Sequence, residues 1–409
     1  MKSLSIDERK LLIIQGCDIL AYSLAGVFVT VFFFSHSTLS TTALFRAITF
    51  ASMVFFFALT GRLLKYISSG MLIKFSLAGG ALYFLLLFLL REQSIRWYVP
   101  LGILDGAMGG IFWAAFNLYQ YIVSSSGRRV AYFGWGQALF NLASAIGPTI
   151  GGLVIVVSSR TSIGLTGGYT ILFLIVSIIL GVTAFIVGKL PVHGDIAFSY
   201  KHLLTHKRSV GWKLVLGQQA LLGLYDVSLG TVTSVLFYLI IQSESKLGIL
   251  LTIGSLLATV TSIIVTRTLV KYPQLYWAGI FGSMLSIVVF AYQQNVLGMW
   301  LMIGIAGMTL PFMMTKLSTA YFDALDQAPG TWENKFHMMI ERDGLLGLLR
   351  MTSYIILFFI LRGGNEIAIA RTWLYIIPVI PFAIGVLLAL GSRRKKITAP
   401  IPFLPNENI

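Results

Sequence analysis

Charge is scarce in this sequence. Asp, Glu, Lys and Arg make up 11% of its 409 residues, against 57% hydrophobic, and so little polar surface cannot cover a water-soluble globule of that length. Cysteine is scarcer still. Cys17 stands alone, so no intrachain disulfide forms and the redox compartment is unconstrained. The surrounding "IIQGCD" has the outline of a lipoprotein cleavage site, but only Leu11 to Ile14 could serve as its apolar region, too short for a signal peptide. The first hydrophobic segment is therefore expected to be retained. Also missing are a phosphate-binding glycine loop, a nucleophile signature and a set of metal ligands, so neither an enzyme nor a cofactor nor a bound metal is expected. His202 and His206 have the four-residue spacing of a helical metal pair, yet "YKHLLTHKR" offers no acidic third ligand. It reads instead as a loop helix lying on anionic headgroups.

Long apolar runs are what the chain does have. A helix crossing a bilayer needs about 20 mainly apolar residues. Twelve such segments recur, at 11–34, 42–60, 70–90, 98–122, 131–157, 168–188, 212–241, 247–266, 275–292, 297–322, 343–361 and 372–391. The reading is an all-α integral membrane protein with twelve transmembrane helices. The formal charge of +15 obeys the positive-inside rule when both termini are cytoplasmic. Of the basic residues, only Arg46, Arg91, Arg96, Arg160, Lys246, Arg362 and Arg371 then fall on or near the outer side, and Lys316 falls within a span. No basic stretch carries the interleaved aromatics of a single-strand binder, so the bilayer, not nucleic acid, is the expected partner.

The longest polar connection, "KLPVHGDIAFSYKHLLTHKRSVGWK" from Lys189 to Lys213, divides the spans six and six. The expected organisation is a six-helix bundle over 1–188, a cytoplasmic linker over 189–211, a second bundle over 212–391 and a basic cytoplasmic tail over 392–409. An internal echo supports duplication. "RLLKY" from Arg62 after span 2 answers "RTLVKY" from Arg267 after span 8; Gly26, Thr30 and Phe33 match Gly230, Ser234 and Phe237 in spans 1 and 7; Gly102 and Tyr119 match Gly304 and Tyr321 in spans 4 and 10. Secondary transporters are commonly built from such repeats, with the substrate site between them near the midplane.

Span 5 reads "GWGQALFNLASAIGPTIGG". Ala143, Gly147 and Gly151, four apart, form one small-residue ridge on which another backbone can lie, and Pro148 removes a backbone donor and bends the helix. Gly134, Ala143, Gly147, Pro148, Gly151 and Gly152, at this spacing on the fifth of twelve spans, resemble motif C of the drug:proton antiporters of the major facilitator superfamily, with Ala143 where glycine is usual. The resemblance implies two pseudo-symmetric six-helix bundles and a monomer in the plasma membrane, both termini cytoplasmic. It also implies alternating access and efflux of a small molecule with protons as coupling partner. Two departures qualify it. "GRLLKYISSG" keeps Gly61 but has Lys65 in the motif's acidic position and Ser68 in that of its second glycine. Span 4 has "DGAMG", with Asp105 where antiporters resemble one another in an arginine. An alternative therefore stands beside efflux: metabolite uptake, or translocation of a lipid-like substrate, by the same fold without standard proton antiport.

Ionisable groups inside hydrocarbon are functional candidates by default. Here they are Asp18, Asp105, Asp226 and Lys316, with Lys316 the natural ion-pair partner for Asp226 and Arg46 a side chain that snorkels to the interface. Burial disfavours the charged form of a carboxylic acid, which lets a cavity carboxylate hold and release a proton near neutral pH. Cavity-lining candidates are Gln15, Tyr22, Trp113, Asn117, Tyr121, Gln219 and Tyr225, which offer aromatic faces and hydrogen-bonding groups to a substrate. The acidic group Asp323, Asp326, Glu333, Glu341 and Asp343 is placed on the loop between spans 10 and 11, where it faces Arg342, Arg350 or the Lys65 loop.

Overall fold

Several helices start where a side chain takes the place of the missing backbone partners. Ser5 and Glu8 form a reciprocal capping box, Glu8 Oε2 accepting from the Ser5 amide at 2.6 Å, which supplies two of the unpaired amides of a first turn. Thr38, Ser68, Asn295 and Asn365 cap later helices in the same way. The computed structural model describes residues 4–123, 129–161, 164–187, 198–328 and 332–398. It comprises α1 (Ile6–Ser35), α2 (Leu39–Leu63), α3 (Ser69–Leu90), α4 (Tyr98–Val123), α5 (Arg129–Ser159), α6 (Gly164–Ile186), α7 (Tyr200–Thr205), α8 (Val210–Val227), α9 (Thr233–Ile241), α10 (Glu244–Lys271), α11 (Tyr276–Tyr292), α12 (Val296–Asp326), α13 (Trp332–Leu361), α14 (Glu366–Trp373) and α15 (Val379–Thr398). Among the described residues there is no strand.

Eleven helical stretches are long and apolar enough to cross a membrane, and Val379–Ser392 is a shorter twelfth. Span 7 is the composite of α8, a π turn at Ser228–Val232, and α9. Two spans begin elsewhere than hydropathy suggests. Span 11 starts at Trp332, not 343, because its charged first turns pair with neighbours: Arg342 lies 3.1 Å from Asp343 and Lys335 reaches Asp326 at 3.9 Å. Asp343 and Glu341 thus sit on a helix, not on the expected loop. Span 12 starts at Val379, because α14 and a run of turns occupy 366–378.

In the first half α2 and α3 pack on α4, α1 on α5 and α6, and α3 on α6; in the second, α11 packs on α12 and α15, α10 on α12, and α8 on α13 and α15. The halves meet along α5 with α10 and α2 with α13. Large aromatics fill the first half, Phe28, Phe32, Phe33, Phe45, Phe84 and Phe173 among them fully buried, while Phe55, Phe185 and Phe359 point outward as a lipid-facing surface requires. Residue 188 and the linker residues 189–197 lie outside the described residues, as does the tail beyond 398.

Candidate functional site

The helix-5 small residues determine how closely three helices meet. A Cβ at Gly147 would fall 2.5 Å from Ser23 Cβ on α1, and one at Gly151 would strike the Leu24 carbonyl and, at 2.8 Å, the Phe28 ring. Gly152 faces the other way, where a Cβ would stand 2.5 Å from the Glu244 carbonyl oxygen of α10; Gly248 of α10 returns the contact against the Pro148 carbonyl. Close backbone approach of this kind holds helices together where water does not drive them. Ala143 is buried beside them. Gly134 and Tyr121 belong to α5 and α4 as backbone, and their surroundings lie outside the described residues.

The Gly152 contact lies on one closed end of the molecule. There Tyr169 of α6 donates to Glu244 Oε1 at 2.9 Å, joined by Tyr238 at 3.2 Å, and Thr149 of α5 meets Thr252 of α10 at 2.7 Å. Glu366, the first residue of α14, accepts from the Leu39 and Ser40 amides at 2.7 and 3.3 Å. A second-half carboxylate thus caps the positive N-terminus of a first-half helix.

Toward the midplane, a cavity of about 370 Å³ opens inside the first half. Asp18 and Tyr22 come from α1, Thr49, Phe50 and Met53 from α2, Ser76 and Gly80 from α3, Asp105, Met108, Phe112 and Trp113 from α4, and Phe140 and Ser144 from α5. Four sequence candidates, Asp18, Tyr22, Asp105 and Trp113, therefore line one cavity. Asp18 and Asp105 are 4% and 8% exposed, and neither has a protein hydrogen bond or salt bridge among the described residues. The field of Arg46 acts on Asp105. Arg46 does not snorkel outward as expected. It turns into α1, donating to the Gly26 carbonyl at 3.2 Å and to Thr30 Oγ1 at 2.7 Å, because burying its guanidinium there supplies hydrogen bonds that lipid cannot.

Asp226 takes a different partner from the expected Lys316. Arg350 of α13 donates to Asp226 Oδ2 through Nε at 3.0 Å and again through its terminal nitrogen, a side-on fork that suits a guanidinium. Arg350 also lies 5.4 Å from the Phe50 ring centroid, which stacks on Tyr354 at 5.7 Å. Phe50 thus separates the cavity from the ion pair of the other half. Asn117 of α4 donates across the halves to Asp343 Oδ2 at 3.3 Å, and Asp343 feels both Arg342 and Arg350.

The remaining candidates lie apart from the cavity wall. Gln15 rests against α5 at Gly136; Gln219 and Tyr225 are buried in α8; Lys316 lines a separate cavity of the second half. Glu341 pairs with Arg208 and His206 and accepts from Trp212 Nε1 at 2.7 Å. No described acidic residue bridges to Lys65, and Glu333 has side-chain surroundings outside the described residues. Sequence reasoning missed Phe50 and the two methionines, which carry no signal beyond apolarity, and Thr49 and Ser76, whose hydroxyls bond to carbonyls of their own helices like many hydroxyls in a membrane span. It also missed Arg350 as the partner of Asp226, having considered it only as a partner for the acidic group between spans 10 and 11.

No family model matches the chain. An uncharacterized protein in the sodM 3′ region of Geobacillus stearothermophilus is 27% identical over 172 residues, 42% of this chain and 78% of that protein. The uncharacterized protein YqgE of Bacillus subtilis (strain 168) is 27% identical over 164 residues, 40% of this chain and 37% of that one. Among solved structures, a bacterial homolog of the human lysosomal transporter Spinster, in an inward-facing and occupied conformation, superposes with a TM-score of 0.70 at 12% identity, covering 96% of this chain and 98% of the other. The nucleoside transporter NupG gives 0.66 at 13%, over 95% and 100%, and a bacterial metal transporter 0.61 at 14%, over 95% and 99%. The chain accordingly shares the all-α fold of these transporters, with eleven helical stretches long and apolar enough to cross a membrane and a shorter twelfth among the described residues.

Proposed function

We propose that this chain is a secondary transporter that expels a small, largely apolar solute in exchange for protons. The observation that carries the reading is the first-half cavity, in which two buried carboxylates without direct protein partners face an aromatic and thioether wall. Apolar pockets with a few convergent polar groups are the usual form of a small-molecule site. Asp18 and Asp105 are positioned to hold a proton or a cationic group in turn, so loading one releases the other. Phe50 links that exchange to the Asp226–Arg350 pair, and Asn117 to Asp343 across the halves.

The moving parts are the bundles 1–188 and 212–391, joined by 189–211, acting as a monomer in the plasma membrane with both termini cytoplasmic. The latched end, with Glu244 and Glu366, then faces outward and opens in the alternate state. Export as the direction rests on the motif-C resemblance. Transport of a metabolite or lipid-like molecule without antiport is the second reading, favoured by Lys65 and Asp105 at the two positions that depart from the antiporters.

The test is proteoliposomes with an imposed pH gradient, following internal pH while lipophilic cations, metabolites and lysolipids are added. Substrate-dependent proton movement lost in Asp18→Asn or Asp105→Asn is the expected result. Solute movement without proton flux in the unaltered protein hands the lead to the second reading.

A further inference from the structure

The second half contains a cavity that the transport reading does not use. It measures about 230 Å³ and lies between α8, α12 and α15, with Leu214, Val215 and Leu388 as apolar wall and Gln218, Lys316 and Asp323 as polar lining. Gln218 is 2% exposed, and its Oε1 has no hydrogen-bond partner. Buried amide oxygens are nearly always paired, so an acceptor left over on a cavity wall marks a place for an incoming N–H or O–H donor. Lys316 brings positive charge to the same space.

A second cavity of about 350 Å³ shares Gly211, Ala324 and Gln327 with the first, so the two adjoin. It is lined by His202, His206, Lys207 and Arg208 and by the first turn of the 18-residue helix α8, whose N-terminus is itself positive. Glu341 engages Arg208 and His206. Lys207, His202 and the helix end still face the crevice, and Asp323 is the acidic residue on its wall.

We infer that this crevice is a second binding site, for a phosphate ester that carries a free hydroxyl. The phosphate sits toward Lys316 and the mouth formed by Lys207 and the start of α8, the hydroxyl donates to Gln218 Oε1, and the hydrocarbon of the ester lies on Leu214, Val215 and Leu388. A lipid headgroup with glycerol on its phosphate and a soluble glycerol phosphate share this chemistry.

The experiment uses the full chain, first in nanodiscs of phosphatidylcholine containing a minor fraction of phosphatidylglycerol with native mass spectrometry of retained lipid, then in detergent with calorimetric titration of glycerol 3-phosphate. Lys316→Gln and Gln218→Leu are tested beside the unaltered protein. Gln218→Leu replaces an unpaired acceptor with an apolar side chain of similar size, which preserves folding. Retention of phosphatidylglycerol that falls about 10-fold or more in both variants assigns the site to a lipid headgroup; glycerol phosphate binding with the same losses assigns it to a soluble ester. Binding of neither probe, or binding that both variants keep at full strength, overturns the proposal. Since the readout is binding, failure here leaves the transport reading untouched.

Discussion

Replacing Gly152 by alanine should unlatch the closed end. The added Cβ stands 2.5 Å from the Glu244 carbonyl oxygen and 3.0 Å from its carbon. A carbon–oxygen contact needs about 3.3 Å, so α10 must retreat by about 0.8 Å. The obstacle is backbone, which cannot swing aside like a long side chain. Overpacking of this kind costs about 1–3 kcal/mol, and it falls only on the state in which α5 and α10 touch. The equilibrium between ends should therefore shift by about 5- to 150-fold toward opening. Spin labels at the exposed positions Arg160 and Lys246, each replaced by cysteine in a Cys17→Ser background, report the distance across that end by pulsed electron resonance. The variant should gain a longer-distance population at the expense of the short one. Gly26→Ala, where a Cβ meets nothing within 4 Å, should leave the distribution unchanged. An unaltered distribution in a folded Gly152→Ala protein would refute the idea that this glycine sets the latch.

Three further outcomes follow from the same geometry. Arg350→Gln leaves the Asp226 carboxylate without its fork and should lower stability by about 1–3 kcal/mol, whereas Arg350→Gln with Asp226→Asn should recover part of the loss; thermal unfolding in detergent measures both, and additive losses would argue against a coupled pair. Glu366→Gln removes the charge from the α2 cap, a loss of about 0.3–1 kcal/mol, and should raise thiol accessibility of a cysteine placed at Ser40; unchanged labelling would remove α14 from the latch. Trp113→Ala strips an aromatic face from the cavity and should weaken solute binding about 2- to 12-fold, read as a rise in apparent KM with the maximal rate retained; equal KM values would place the solute elsewhere.

The all-helical membrane architecture and the small-residue contact of helix 5 were legible in the sequence, because each depends on hydropathy or on spacing along a single helix; that Asp18 and Tyr22 of α1 meet Asp105 and Trp113 of α4 around one cavity was not, because it depends on how different helices pack. The partners of Asp226 and Arg46 were not. Arg350 falls near the start of span 11 as hydropathy draws it, because the preceding turns hold Glu341, Arg342 and Asp343, which depress hydropathy; in the folded helix Arg342 pairs with Asp343 and Glu341 with Arg208. Arg46 lies near a span end, where snorkelling is the cheap solution; only the position of Gly26 and Thr30 on the neighbouring helix reveals the inward one. Long-range polar pairing is set by how helices are rotated against each other, and no single-chain period encodes that rotation.

The π turn in span 7 fixes one such rotation. Asp226 before it bonds Arg350, and Thr231 within it bonds Tyr354 at 2.6 Å. The partners on α13 are four residues apart, one ordinary turn, while those on span 7 are five apart, which in an unbroken α-helix would point about 140° away from each other. The widened turn brings five into line with four, as the unequal scales of a vernier coincide at a single graduation. A slip of one helix past the other by a turn would break both bonds at once, so the two pairs hold spans 7 and 11 to one register.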